Sequence, residues 1–96
     1  MQTHFCIKLN LKTPTGYETF GKFSICENSK TAHSIFSKLK GTSKVDERNV
    51  LYIELCEMKD ELPLNVQMLT CTLDELAENC RIITREIFKL HNLGIM

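Results

Sequence analysis

The sequence predicts an α+β fold in which two ββα units form one four-stranded antiparallel sheet, with two helices packed on one face. Apolar and polar residues alternate in four short segments, which is the pattern of half-buried strands. In two further segments, apolar residues recur every three or four positions, as on one side of an amphipathic helix. The segments occur as strand, strand, helix, and this order then repeats. Since one such unit alone leaves a sheet face bare, joining two units would bury it.

The first predicted strand covers residues 5–12, where apolar and polar residues alternate strictly. Its inward side chains are Phe5, Ile7, Leu9 and Leu11. A turn is expected at 13–16, because Pro14 presets its own φ and Gly16 accepts a positive φ. These residues therefore predict the start of a hairpin.

The second predicted strand covers residues 17–26 and leads into a short helix. The inward residues are expected to be Tyr17, Thr19, Gly21, Phe23 and Ile25, and the outward ones Phe20, Lys22 and Ser24. Asn28 or Ser29 is a suitable helix cap. The helix is expected to reach about Lys40, with its apolar side formed by Ala32, Ile35, Phe36 and Leu39.

The second unit begins with two further strands joined by a turn at 59–61. In the third strand, 50–58, the expected inward residues are Leu51, Ile53 and Leu55, and the outward ones Tyr52, Glu54 and Cys56. In the fourth strand, 62–71, Leu64, Val66 and Met68 are expected inward and Asn65, Gln67 and Leu69 outward. Pro63 suits an edge strand. The first and third strands lack Gly and Pro and are expected at the centre, in the order 2-1-3-4.

The longest helix is predicted over residues 72–90. Its apolar stripe consists of Leu73, Leu76, Cys80, Ile83, Ile87 and Leu90, widened by Ala77, Thr84 and Phe88. Thr72 and Glu75 have the spacing of a capping box. Ile82 is expected on the polar side, and Asn92 or Gly94 is a suitable residue for ending the helix.

Composition and charge favour one small domain, 1–96, with pseudo-repeats at about 3–41 and 49–94. Lys and Arg together equal Asp and Glu in number, so the net charge is zero and no global attraction to nucleic acid exists. The charge is nevertheless uneven. Residues 1–48 carry eight basic and four acidic side chains, and residues 49–96 carry four and eight. This difference fits an attraction within or between copies, or two solvated surfaces.

Several features favour a cytoplasmic location. No apolar run is long enough to span a bilayer, so no membrane partner is expected. His4 and Lys8 interrupt the apolar positions that a secretory signal would need. Five cysteines, an odd number without C-x-x-C spacing, are typical of reduced thiols in a reducing compartment.

The sequence indicates no catalytic, cofactor-binding or metal-binding residues. His4, His33 and His91 lack the spacing of a metal motif, and the glycines are scattered singly. Cys26 and Cys71 are weak candidates for reactive thiols, because each precedes a predicted helix N-terminus, where a thiol pKa can be lowered. A thiol enzyme is therefore kept as a third possibility, and enzymatic activity in general is not favoured.

The sheet face away from the helices is the predicted interaction surface. Its candidate residues are Lys8, Phe20, Lys22, Tyr52, Glu54, Gln67 and Leu69. With Phe20, Tyr52 and Leu69 as an apolar centre, this face would support contact with another protein or self-association as a two-fold dimer.

A protein-binding, homodimeric and non-enzymatic role is the function that the sequence favours. The alternative is a small-ligand or single-stranded nucleic-acid binder on the same face, in which aromatic rings stack bases and Lys8, Lys12 and Lys22 contact phosphates. Glu54 in the middle of the face and the neutral chain make nucleic acid the less favoured partner.

Overall fold

The computed structural model describes residues 3–44, 49–60 and 62–93. The strands are β1 (Thr3–Thr13), β2 (Gly16–Cys26), β3 (Leu51–Lys59) and β4 (Leu62–Cys71), and the helices are α1 (Ser29–Ser37) and α2 (Leu73–Phe88). One turn of π-helix, Lys89–Leu93, follows α2. Glu61 of the predicted turn and the predicted helix stop at Gly94 lie outside the described residues.

The four strands form one antiparallel sheet in the order β2-β1-β3-β4, so the predicted order is confirmed. The α+β class is also confirmed, since two helices accompany the sheet. β1 and β3 lie at the centre, and β4, with Pro63 near its start, lies at an edge. A proline is tolerated there because an edge strand has backbone groups without a neighbour.

The core contains side chains from the sheet and from both helices. Its buried members are Phe5, Ile7, Leu9, Ile25, Ala32, Ile35, Phe36, Leu39, Ile53, Leu55, Leu76, Ile82 and Ile83. Side chains alternate between the two sides of a strand. We therefore call the side of the sheet that carries Ile7 and Ile53 the core face, and the other side the second face.

An irregularity in β2 changes which side chains reach the second face. Leu9 pairs with Gly21 and Asn10 with Thr19, so Phe20 is an extra residue without a direct cross-strand partner. Beyond this bulge, Tyr17 and Thr19 lie on the second face. The prediction that both point toward the core was wrong, because strict alternation cannot account for an inserted residue.

A second bulge has the same effect in β4. Leu55 pairs with Gln67 and Cys56 with Asn65, so Val66 is the extra residue. Gln67 and Leu69 then lie opposite Leu55 and Ile53, on the core face. Their predicted place on the interaction face was therefore wrong. Met68 and Thr70, which pair with Glu54 and Tyr52, occupy the second face instead.

Helix α2 begins as predicted but is turned differently about its axis. The Thr72 side chain accepts from the backbone of Glu75, and the Glu75 carboxylate accepts from the backbone of Thr72, which confirms the capping box. The buried residues are Leu76, Asn79, Ile82 and Ile83. Ile82, expected on the polar side, is only 6% exposed. The expected burial of Leu73, Ala77, Thr84, Phe88 and Leu90 was wrong, since all five are exposed.

Asn79 explains this rotation. Its Nδ2 donates to the carbonyl oxygen of Lys40 at 2.8 Å, and its Oδ1 accepts from the Lys40 amide at 2.6 Å. A buried amide with both groups paired is stable in a core. Lys40 lies just after the end of α1, so Asn79 fixes α2 against the chain that leaves α1. An ion pair of 2.9 Å between Lys38 and Glu86 also joins the two segments.

The segment after α1 turns sharply and reaches the edge of the sheet. Gly41 has φ +147°, and a Cβ atom there would lie 2.5 Å from the carbonyl oxygen of Thr70. Thr42 then exchanges two backbone hydrogen bonds with Thr70 of β4. Part of the β4 edge is therefore occupied by this segment.

Candidate interaction surfaces

The second face carries a hydrogen-bonded row of polar side chains that crosses all four strands. The Thr19 hydroxyl donates to Asn10 Oδ1 at 2.7 Å, and Asn10 Nδ2 donates to Glu54 Oε1 at 3.1 Å. Asn65 Nδ2 donates to the other Glu54 oxygen. Both oxygens of this carboxylate are thus held by amides of neighbouring strands. Glu54 therefore acts as a link within the sheet.

Three of the predicted interaction residues are brought together. Lys8 lies opposite Lys22 on β2 and opposite Glu54 on β3, all on the second face. Tyr52 also lies on this face, but it is only 2% exposed, because the ring of Tyr17 contacts it edge-on at a centroid distance of 5.0 Å. Its hydroxyl donates to the carbonyl oxygen of Asn49 at 3.3 Å, and this hydrogen bond also fixes the position of the ring.

The predicted apolar centre of that face is not assembled. Phe20 is 52% exposed, whereas Tyr52 is buried and Leu69 lies on the core face. Tyr17, which sequence reasoning placed in the core, is 62% exposed on the second face. Only the β2 bulge could have identified it, and Gly21 beside Phe20 is the sequence signal for that bulge, since a glycine within a strand often marks one.

The two candidate reactive thiols lie where the sequence placed them, but their environment is unsuited to thiolate chemistry. Burial raises the pKa of Cys26. Burial and, to a lesser extent, the nearby Glu75 carboxylate raise the pKa of Cys71 to about 11. Neither pKa is lowered, because burial disfavours the charged thiolate.

Two other thiols face each other across the central strands. Cys6 and Cys56 are cross-strand partners on the second face, and both are buried. Burial, and then the negative charge of Glu54, raise the pKa of Cys56 to about 12. Burial also raises the pKa of Cys6. Both are therefore protonated at neutral pH and act as small packing groups.

Within the described parts of the chain, no group of three or more His, Cys, Asp or Glu side chains is placed to hold a metal ion. His33 instead lies beside β4, with its Nδ1 3.3 Å from Gln67 Oε1. Among residues 3–44, 49–60 and 62–93, no helix has the length and apolarity required to cross a bilayer.

Helix α2 presents an exposed apolar strip that the sequence had assigned to the core. We call it the outer face of α2. It consists of the exposed residues Leu73, Ala77, Thr84 and Phe88 and, at its border, of Cys80, which is half-buried and packs partly against the core. Leu73 is 72% exposed and Phe88 56%. A groove of about 500 Å³ lies on this side, lined by Cys80, Arg81, Thr84, Arg85 and Phe88. Apolar side chains of this size in water favour a contact with another molecule.

Charged residues border the outer face along one side. Asp74 and Glu78 lie in its first half, and Arg81 and Arg85 in its second half, and all four are exposed. None of them takes part in an ion pair among the described residues. The helix thus has an apolar strip next to a line of charge that changes sign near its middle.

The chain has no significant match among protein-family models, curated proteins or solved structures. Its function is therefore inferred from its own residues and geometry.

Proposed function

We propose that the chain is a non-enzymatic protein that acts through contacts with proteins and forms a homodimer. The observation that carries this proposal is the exposure of large apolar side chains, above all Leu73 at 72% on α2. Phe88 lies on the same face of that helix and is 56% exposed. Large apolar groups that share one surface are typical of protein interfaces, where association removes them from water.

The state of the polar groups also supports a role without catalysis. A nucleophilic thiol needs a lowered pKa, and burial raises the pKa of both Cys26 and Cys71. The carboxylate of Glu54 is occupied by two amides of the sheet. These groups are better suited to holding the strands together than to moving protons.

The proposal includes a specific arrangement of layers. Both helices would cover the core face alone, as two ββα pseudo-repeats, and the second face would be covered only by its own side chains. In support, buried residues of α1 and α2, such as Phe36 and Ile83, belong to one cluster with Ile7 and Ile53. Five free thiols fit a reducing cytoplasm, which is the location we propose.

Native mass by light scattering, at low and at high salt, tests self-association. We expect a dimer that persists in high salt, because contact between apolar surfaces is not screened by ions. A dimer lost in salt would show that the opposite charges of the two halves hold it. A monomer at all protein concentrations would contradict the proposal.

A second candidate function, binding of a small ligand or single-stranded nucleic acid on the second face, is favoured by one observation. Tyr17 and Phe20 are both more than half exposed, and Lys8 and Lys22 lie side by side on this face. Exposed rings can stack bases while lysines contact phosphates. A salt-sensitive, saturable titration with a fluorescent oligonucleotide, weakened by Tyr17→Ala, would support it, and absence of binding would exclude the nucleic-acid form.

A further inference from the structure

We propose that the homodimer forms by antiparallel pairing of α2 with α2 of a second copy, around a two-fold axis near Cys80. This inference rests on the proposed function and names its surface. The sequence predicted the interface on the second face of the sheet, but the apolar centre expected there is not assembled. We therefore assign the dimer interface to the outer face of α2. Three independent features of the helix support a second copy as the occupant.

The first feature is the spacing of the apolar residues. In an antiparallel pair related by a two-fold axis, each contact occurs twice with the two residues exchanged. If Leu73 lies opposite Phe88 of the second copy, then Ala77 lies opposite Thr84 of that copy in the same register. The two most exposed side chains of the outer face would thus cover each other at both ends of the pair.

The second feature is the charge pattern beside the apolar strip. A two-fold axis between antiparallel helices brings the same side of both helices together. Asp74 would then lie near Arg85 of the second copy, and Glu78 near Arg81 of that copy. Both pairs join opposite charges, and symmetry doubles each of them. In a parallel pair the two-fold axis would run along the helices and place the two charged sides on opposite sides of the pair, so these charges would not meet.

The third feature is the shape of the helix surface. The large side chains lie at the two ends, whereas the middle carries the smaller Ala77, Cys80 and Thr84. Small residues let two helix axes approach closely at the crossing point. A 16-residue helix is about 24 Å long, so this contact is at the small end of protein interfaces. We therefore expect an equilibrium between monomer and dimer in the micromolar range.

Sedimentation of two matched variants tests the surface. Leu73→Glu places a charge on the outer face, and the first turn of a helix tolerates an acidic residue, so the fold is retained. Leu62→Glu is the control, because Leu62 is 69% exposed on β4, away from α2. Between about 5 and 500 µM protein, we expect Leu73→Glu to raise the Kd at least about tenfold and Leu62→Glu to leave it unchanged.

Oxidative cross-linking tests the position of the axis independently of any loss of stability. With copper phenanthroline as oxidant, two Cys80 thiols near the axis would form a disulfide between copies. We expect a cross-linked dimer in the wild type and in Cys26→Ser, and none in Cys80→Ser. The remaining cysteines are free thiols elsewhere in the fold and serve as internal controls.

The outcomes separate this inference from the proposed function. A wild type that is monomeric up to the highest concentration overturns both. A dimer that resists Leu73→Glu and gives no Cys80 cross-link overturns the pairing of α2 and leaves self-association intact. Loss of the dimer in Leu62→Glu alone would assign the interface to β4.

Discussion

At the scale of single residues, Gly41 fixes the path of the chain from α1 to the sheet edge. Two separate effects make glycine necessary there: its φ of +147° and the nearby carbonyl of Thr70. Gly16 has a similar φ of +142°, but a Cβ atom there would meet no atom within 4 Å. Substitutions at the two glycines therefore distinguish the cost of backbone strain, present at both, from the cost of steric overlap, present only at Gly41.

We predict that Gly41→Ala lowers the free energy of unfolding by about 3 kcal/mol or more, and Gly16→Ala by about 1–2 kcal/mol. Both variants carry the strain of a positive φ, and only the first must also push Thr70 away. Urea denaturation measures the difference. Equal losses in the two variants would mean that the segment after α1 moves freely away from β4.

The buried thiols predict how stability depends on pH. A thiol in the unfolded chain titrates near about 8.5, whereas the pKa of Cys56 is raised to about 12 and that of Cys71 to about 11. Below about pH 8.5 these thiols are protonated in both the folded and the unfolded chain, so their stabilising effect is fully present. Above it, only the unfolded chain loses the proton, so stability falls as the pH rises toward the folded pKa values.

We therefore expect the free energy of unfolding to fall between about pH 9 and 11, by up to about 1.4 kcal/mol per pH unit for each thiol. In Cys56→Ala, the free energy of unfolding should fall less steeply with rising pH than in the wild type, whatever the stability of this variant at pH 7. Urea denaturation under reducing conditions measures both slopes. Identical slopes would show that this thiol is as easily ionised in the folded chain as in the unfolded one.

At the scale of elements, the orientation of α2 depends on one buried amide. Asn79 satisfies the backbone N–H and C=O of Lys40, because its amide supplies both an acceptor and a donor. The hydrogen bonds determine which side of α2 meets the core. They also determine that Leu73 and Phe88 remain outside.

We predict that Asn79→Ala costs about 2–4 kcal/mol, because it leaves two partly buried backbone groups unpaired and creates a cavity. Asn65→Ala, on the exposed end of the polar row, is the matched control and should cost about 1 kcal/mol or less. Thermal and urea denaturation give both values. Equal, small losses would mean that apolar packing alone orients the helix.

The sequence predicted the elements of this fold better than their orientations. Strand alternation and helical spacing depend on neighbouring residues, so the six elements, the capping box at Thr72 and the central position of β1 and β3 could be read directly. A polar residue such as Asn79 is buried because of a partner 39 positions away. Helical periodicity counts it as exposed. The expected stripe was therefore right for Leu76, Cys80, Ile83 and Ile87, which contact the core, and wrong for Leu73 and Leu90.

The candidate site was harder to predict for a related reason. The edge strands contain extra residues, Phe20 and Ile25 in β2 and Val66 in β4, and each one shifts the side chains beyond it relative to strict alternation. The inserted residues are ordinary apolar residues, and Gly21 beside Phe20 is a sequence signal of a bulge that strict alternation overlooked. Lys8 and Glu54 lie on the central strands, which have no extra residue, and were placed correctly, as was Lys22 between the two irregularities of β2. Gln67 and Leu69 lie beyond Val66 and were not placed correctly.

At the scale of the whole molecule, the distribution of charge does not oppose the association of copies that we propose. The chain has no net charge, so copies do not repel one another at long range. The sign change between residues 1–48 and 49–96 is accompanied by a second one within α2, from Asp74 and Glu78 to Arg81 and Arg85. Only the sign change within α2 lies near the middle of one helix, so that an antiparallel pair would bring opposite charges together at both ends.

The central claim is that two copies pair through α2 in antiparallel register, and a charge-reversal cycle tests it most directly. Glu78→Arg and Arg81→Glu each place like charges together twice, and the double variant restores opposite charges with the signs exchanged. Glu18→Arg, on exposed β2, is the control. Sedimentation at low salt gives the Kd of each variant, and circular dichroism verifies that each is folded.

We expect each single reversal to weaken the dimer about tenfold, the double variant to return within about threefold of the wild type, and Glu18→Arg to have no effect. Restoration by the double variant would exclude misfolding as the cause of the single losses. Single reversals that leave the Kd unchanged, or a double variant weaker than either, would contradict the antiparallel pairing.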